Sequence, residues 1–162
     1  MNSTTRDGQP RKLDHTDLAI LAALFSDARL TNKALAEHIG LSPSSCLERV
    51  RKLQQDQVIR GCSLQLDYTL LGGHIQAMIA VRLDSQSRDV FEHFFCDLLA
   101  KPEVLSIFHM GGENDFQLHV TVSDTLHLRD FVFNAITARD HVSHVETALI
   151  YEHRVSHTLP SY

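Results

Sequence analysis

The stretch from Gly40 to Gln57, GLSPSSCLERVRKLQQDQ, decides how the rest of the chain is read. Gly40 ends a preceding helix, because glycine enters the left-handed region without a Cβ penalty. Ser42 can accept from the amides of the next turn. Pro43 falls at a first helical position, where a missing N–H costs nothing. The helix so begun runs to about Gln57. Cys46, Val50 and Leu53 recur at i, i+4, i+7, with Leu47 beside them, and point inward. Ser45, Glu48, Arg49 and Lys52 fall on the opposite side, with Ser44 and Arg51 at its margins. A helix with hydroxyls and guanidinium groups on one exposed face suits a DNA major groove. Arginine pairs bidentately with guanine, serine donates or accepts at several bases, and lysine, arginine and helix-start amides hold phosphates. The residues expected to meet DNA are therefore Ser42, Ser44, Ser45, Glu48, Arg49, Arg51 and Lys52.

Two helices precede it. Leu13, Leu18, Ile20, Leu21 and Leu24 follow helical spacing, with Asp14 or Asp17 as the N-cap or first-turn acid. After a turn near Ser26–Leu30, Thr31 caps a helix from about Asn32 to Ile39, with Leu35 and Ile39 on one face. Three helices in this order, joined at a glycine turn, form a helix-turn-helix over 13–60. Residues 1–12 lack periodicity and read as a disordered arm.

Downstream the period changes. Val58 to Tyr68, VIRGCSLQLDY, reads as a wing-like hairpin or connecting strand, and Leu70-Leu71-Gly72-Gly73 as a hinge, making 61–73 a linker. From His74 to about residue 152 the order is strand, helix, strand, strand, helix, strand, the ferredoxin-like βαββαβ arrangement. Residues 153–162 form a polar tail. The expected fold class is α+β: a three-helix winged helix-turn-helix followed by a ferredoxin-like domain. Helices cover only one face of such a sheet. The other carries His74, Gln76, Met78, Ala80 and Arg82 on the first strand. That mixture is neither polar nor apolar, and it suits a face that meets a second copy in a homodimer.

The totals agree with this division. The formal charge of the 162 residues is −5, yet residues 1–60 carry nine Lys/Arg and seven Asp/Glu, against six and thirteen in 61–162. A nucleic-acid surface belongs in the first third, and phosphate repels the acidic remainder. No apolar run approaches the roughly 20 residues of a membrane span, and the polar N-terminus lacks a secretory core, so a cytoplasmic location without membrane partners is expected. Cys46, Cys62 and Cys96 lack C-x-x-C spacing and read as buried free thiols.

At GLSPSSCLERVRKL and the following VIRG the chain resembles the leucine-responsive regulatory protein/AsnC (Lrp/AsnC) family of transcriptional regulators, and the resemblance continues over about residues 13–152. It implies that the second domain dimerises, that dimers assemble further into octamers or similar rings, and that amino acids bind between dimers. The loop Gly111-Gly112-Glu113-Asn114-Asp115 matters here. Its glycines let backbone approach a ligand and leave amides for a carboxylate, and Asp115 could receive an ammonium group; a plain hairpin turn has the same composition. The family's Gly-Asp-x-Asp pattern matches Gly112 and Asp115, while Glu113 stands where the first Asp would be. The other pocket wall maps by resemblance onto Ala148, Leu149 and Ile150.

Other classes fare worse. There is no G-x-S-x-G, P-loop or dinucleotide fingerprint, so an enzyme is not expected. His141, His144, His153 and His157 cluster late, with Glu146 beside His144, but lack a tight ligand motif, so no metal site or cofactor is expected beyond an amino-acid effector. Surface histidines could make assembly sensitive to pH. The competing function is an amino-acid-binding regulatory module of a metabolic complex without DNA contact, which the basic face of the third helix disfavours.

Overall fold

The computed structural model describes residues 12–85 and 87–161, so the expected arm, apart from Lys12, lies outside the described residues. The chain divides into two compact units. One runs to Leu64 and takes in the stretch from Arg154, and the other is Gln65–His153.

In the first unit, α1 spans His15–Ser26, α2 Asn32–Ile39 and α3 Pro43–Gln55. Each start is explained by its cap. The Asp14 carboxylate accepts the Asp17 amide at 2.7 Å and the Asp17 carboxylate accepts the Asp14 amide at 3.5 Å, a reciprocal capping box. Thr31 accepts the Ala34 amide at 3.2 Å. Gly40 leaves α2 with φ 77°, and the Leu41 amide returns to the Ala36 carbonyl at 2.9 Å. Ile20, Leu35, Ala36, Cys46 and Leu53 are buried between the three helices. Leu47, expected beside them, is 38% exposed.

The expected wing is not formed. Among the described residues 58–67 contain no strand. The amides of Val58 and Ile59 both donate to the Leu53 carbonyl, closing off α3. Leu64 and Leu66 alternate with polar residues as in a strand, but are 83% and 50% exposed. An alternating pattern becomes a strand only where a neighbouring chain supplies a ladder. The linker then makes a 3-10 turn over Tyr68–Leu71, capped by Asp67.

In the second unit, β1 spans Ile75–Leu83, α4 Arg88–Leu99, β2 Val104–His109, β3 Phe116–Val122, α5 Thr125–Phe131 and β4 Val142–Ile150. The sheet order is β2-β3-β1-β4, antiparallel throughout. Ala77, Ile79, Val81 and Leu83 of β1 and Phe116, Leu118, Val120 and Val122 of β3 face the helices. There they meet Phe94, Leu98, Leu128, Phe131 and Ile136. The second helical segment is not uniform: α5 passes at Val132 into a π-helical turn ending at Thr137. The opposite sheet face presents Gln76, Met78, Ala80 and Arg82. By register these lie beside Gln117, His119 and Thr121 on one side and His144, Glu146, Ala148 and Ile150 on the other. Of the three free cysteines only Cys46 is buried; Cys62 and Cys96, expected to be buried, are exposed.

Gly73 is required for space. A Cβ there would lie 2.3 Å from Thr121 Oγ1 and 3.2 Å from the Tyr68 carbonyl oxygen, which already accepts the Gly73 amide at 2.8 Å. Gly73→Ala is expected to cost about 1–3 kcal/mol of stability by overpacking. Thermal denaturation reads this directly, and an unchanged midpoint would show that Thr121 moves aside freely.

Candidate nucleic-acid interface and effector loop

An α-helix turns by about 100° per residue. Ser44, Glu48, Arg51 and Gln55, at i, i+4, i+7 and i+11, therefore line the middle of the outward face of α3, with Ser45 and Lys52 along one border; all six are exposed. Ser44 and Arg51, expected at the margins, are thus central. At the helix start the Ser42 hydroxyl accepts the Ser45 amide at 3.2 Å and donates to Ser45 Oγ at 2.9 Å, with Ser44 Oγ at 3.1 Å. Three hydroxyls thus gather at the electropositive end of the helix, where an anion is favoured. Ser42 itself is occupied as the cap.

Arg49 stands apart from that face. Its Nη1 lies 2.7 Å from Asp14 Oδ2 and 3.0 Å from Asp17 Oδ1, so it binds both carboxylates of the α1 capping box. Asp17 is 2% exposed and Arg49 half-buried. The hydrogen bonds from the Asp17 amide and then the Arg49 guanidinium hold the Asp14 carboxyl below its ordinary 3.8, and both carboxylates push the Arg49 guanidinium further up. A second fastening was not legible beforehand: Asn32 Nδ2 donates to the Pro43 carbonyl at 2.7 Å and ties the start of α2 to the start of α3. With Arg49 committed to α1, the cationic character of the outward face is that of Arg51 and Lys52. Residues 13–60 hold six Lys/Arg and six Asp/Glu, so the positive balance of the first third comes from Arg6, Arg11 and Lys12 set against Asp7.

Because Asp14 is more acidic folded than unfolded, its contribution to stability is complete above about 3.8 and is lost as pH falls through the lower folded value. In an NMR carboxyl titration Asp14 is expected to titrate below 3.8, and Arg49→Ala to move it back up. A midpoint insensitive to Arg49 would remove the guanidinium from this explanation.

The loop between β2 and β3 is firmly tied. The Met110 amide donates to the Asp115 carbonyl at 2.7 Å and the Asp115 amide to the Val81 carbonyl at 2.9 Å. Asp115 Oδ2 accepts the Leu83 amide at 2.7 Å. Arg82 donates from Nε to the Glu113 carbonyl at 2.7 Å and pairs through Nη2 with the Glu113 carboxylate. Gly112 has φ 144°, a conformation that favours glycine. Asn114 Oδ1 is buried with no hydrogen-bond partner among the described residues. Asp115 is therefore a clamp on the end of β1 with its other oxygen left over, and Glu113 is the exposed acid.

The second expected wall lies elsewhere. Ala148 is in register with Met78 and Ile150 with Gln76, whereas the loop is bonded at Arg82 and Leu83. At about 3.3 Å per residue, four to seven positions separate the two by roughly 13–23 Å. Leu149, opposite Ala77, points to the helix side, while Ala148 and Ile150 lie on the open face. One copy of the chain does not bring Gly111–Asp115 and 148–150 into one cavity.

Residues 13–60 match the family model described as winged helix-turn-helix DNA-binding, and residues 76–160 match that of the Lrp/AsnC ligand binding domain. The HTH-type transcriptional regulator AldR of Mycolicibacterium smegmatis is 42% identical over 148 residues, covering 91% of this chain and 86% of that protein. The leucine-responsive regulatory protein of Rhizobium meliloti is 37% identical over 138 residues, covering 85% and 88%. Among solved structures, a transcriptional regulator of Neisseria meningitidis in complex with L-Met superimposes with a TM-score of 0.84 at 31% identity, covering 92% of this chain and 97% of that one. Among the described residues no helix is long and apolar enough to cross a membrane. The three-helix unit with its outward-facing α3, the four-stranded α+β unit and these likenesses lead to one conclusion: the chain belongs to the Lrp/AsnC family of transcriptional regulators, pairing a DNA-binding helix-turn-helix with a ligand-binding domain, and is not an enzyme.

Proposed function

We propose that the chain reads duplex DNA with Ser44, Ser45, Glu48, Arg51 and Lys52 of α3, and that an amino acid bound at the second unit modulates this binding. Support comes from the sorting of α3: those five side chains are exposed together, Cys46 and Leu53 anchor the far side, Ser42 caps the start, and Arg49 fastens the helix to α1. Ser44 and Ser45 lie nearest the base edges, Arg51 and Lys52 hold phosphate or guanine, and Glu48 can accept from a cytosine amino group. A gel shift with the DNA upstream of the chain's own gene tests the reading. Retention against excess unrelated duplex is expected, and no retention would favour a regulatory module without DNA contact. A regulator of this kind works in the cytoplasm.

The effector pocket is read as shared between copies, because its two walls stand roughly 13–23 Å apart within one. The amides around Gly111 and Gly112 receive the carboxylate, and Glu113, the exposed acid, joins the free oxygen of Asp115 in meeting the ammonium group. Asn114 Oδ1, buried and unpartnered, adds an acceptor. The relative solved with L-Met supports the ligand class. In a thermal-shift panel of amino acids, a true effector at about 100 times its Kd adds roughly 2.7 kcal/mol of stability. A flat panel would exclude amino acids as effectors.

The open sheet face is proposed as the homodimer contact, with dimers assembling further toward an octamer. His119 on that face bonds Gln76 at 2.9 Å and meets the His153 ring edge-on at 5.5 Å; burial, then the His153 charge, pushes its pKa down. A histidine kept neutral by its surroundings disfavours acid conditions, so covering this face with a second copy makes assembly weaken as pH falls through the value His119 has in the free copy, itself already below 6.5.

A further inference from the structure

The end of β1 carries a cation, Arg82, that the sequence placed only on the open sheet face. By register Arg82 stands opposite His144 and Leu83 opposite Val142, so Ser143 is an extra residue in β4 at this point. The Ser143 hydroxyl donates to the Arg82 carbonyl at 3.1 Å. Bulges of this kind re-aim a side chain and recur beside functional sites. The Arg82 guanidinium forks onto a single residue of the effector loop: Nε donates to the Glu113 carbonyl at 2.7 Å and Nη2 pairs with Glu113 Oε1. The Leu83 amide, next along the strand, donates to Asp115 Oδ2 at 2.7 Å. Both acids of the loop are thus held by consecutive residues of β1, each through one oxygen. Among the described residues Arg82 Nη1, Glu113 Oε2 and Asp115 Oδ1 have no hydrogen-bond or ion-pair partner. The Arg82 and Glu113 side chains are 38% and 81% exposed, and a pair so open to water contributes little to stability.

We infer that Arg82 is a specificity-determining residue of the effector loop, and that with Glu113 it recognises both charges of an α-amino acid at once. This rests on the reading of the loop as the effector site. Arg82 and Glu113 form a cation and an anion fixed side by side. An α-amino acid carries the same charges on groups joined through one carbon. Laid head to tail against the pair, its carboxylate meets Arg82 Nη1, and its ammonium group meets Glu113 Oε2 and Asp115 Oδ1. Positive and negative then alternate round a closed ring. The Arg82–Glu113 contact survives, because the ligand uses only atoms still unspent. The loop amides also receive the carboxylate, but they are neutral and accept an uncharged carbonyl in its place. A hydrogen bond between ionised groups is roughly twice as strong as a neutral one, and guanidinium matches a carboxylate in shape as well as charge. Arg82 is therefore what makes the ligand's negative charge count, as Glu113 and Asp115 do for its positive charge. A ligand lacking either charge leaves one side of the ring unpaired, and a site built for polar partners discriminates strongly against such an analogue.

The test is a thermal-shift titration of the full chain with each of the common amino acids. Each one that binds is then compared with its α-amide, which lacks the carboxylate, and its α-hydroxy acid, which lacks the ammonium group. The parent is expected to bind the amino acid about tenfold or more tighter than either analogue. In Arg82→Gln the preference over the α-amide is expected to fall below about threefold, while the preference over the α-hydroxy acid persists. Glu113→Gln is expected to do the converse. A residue that only braced the loop would weaken all the ligands alike and leave these ratios untouched. Arg82→Lys keeps the charge without the planar fork and is expected to keep part of the preference over the α-amide; it carries the same comparison should Arg82→Gln bind nothing. A parent that binds the α-amide as tightly as the amino acid, or ratios unmoved by the Arg82 changes, would overturn the role of Arg82 alone. No response of the parent to any amino acid would overturn the effector reading of the loop and this inference with it.

Discussion

With Arg51 and Lys52 both changed to alanine, affinity for duplex DNA is expected to fall about a hundredfold or more near 0.1 M salt, and the melting temperature to stay nearly unchanged. Both side chains are exposed, and among the described residues neither meets a hydrogen-bond or ion-pair partner. Their removal takes nothing from the core of Ile20, Leu35, Cys46 and Leu53. It does remove the cations of the outward face, because Arg49 is already committed to Asp14 and Asp17. The log–log plot of affinity against salt should flatten by about one for each phosphate that is no longer neutralised. A double variant that binds like the parent, with the same salt slope, would move the DNA-reading surface off α3.

Arg49→Ala is expected to behave the opposite way. It leaves the Asp17 carboxylate, 2% exposed, without its guanidinium, and removing one member of such a pair destabilises more than the intact pair stabilises. In a small domain the melting temperature should drop by about 5–10 °C. Binding should weaken because α3 is no longer fixed against α1, while the salt slope stays that of the parent, since the cations that meet phosphate are all still present. Arg49→Lys restores a charge but not the length and fixed planar geometry that set one guanidinium nitrogen between both carboxylates, and should recover only part of the stability. An unchanged melting temperature together with a flatter salt slope would return Arg49 to the DNA-contacting set.

Much of the architecture was legible because its signals are local. Ser42-Pro43 begins α3, Gly40 ends α2, and Thr31 caps α2 with the residue types their backbone geometry requires. The alternation of Ile75, Ala77, Ile79, Val81 and Leu83 named the helix-covered face of β1 correctly. What escaped depends on partners distant in sequence. Arg49 looks like any surface cation until Asp14 and Asp17, 35 and 32 residues earlier, are placed beside it. Leu64 and Leu66 have a strand's alternation but no ladder within the chain. The passage of α5 into a π-helical turn leaves no mark on apolar spacing that a regular helix would not also leave.

The effector loop shows the same division. Its composition identified a turn able to face a ligand, yet the same composition could not reveal that Asp115 clamps the Leu83 amide. Nor could it reveal that Ala148 and Ile150 sit opposite Met78 and Gln76, far along β1 from the loop. Both depend on which strands are neighbours, and hence on the order β2-β3-β1-β4. If the two walls meet in one pocket, as proposed, that order requires them to come from different copies, which would couple effector binding to assembly.

Photo-cross-linking tests most directly whether the outward face of α3 enters the duplex. A benzophenone side chain carried at position 48, midway along that face, is expected to cross-link the full-length chain to DNA from upstream of its own gene. The same group at position 92, exposed on α4 of the second unit, is expected not to. DNA captured from position 92 and not from position 48 would contradict the assignment of α3 as the reading helix.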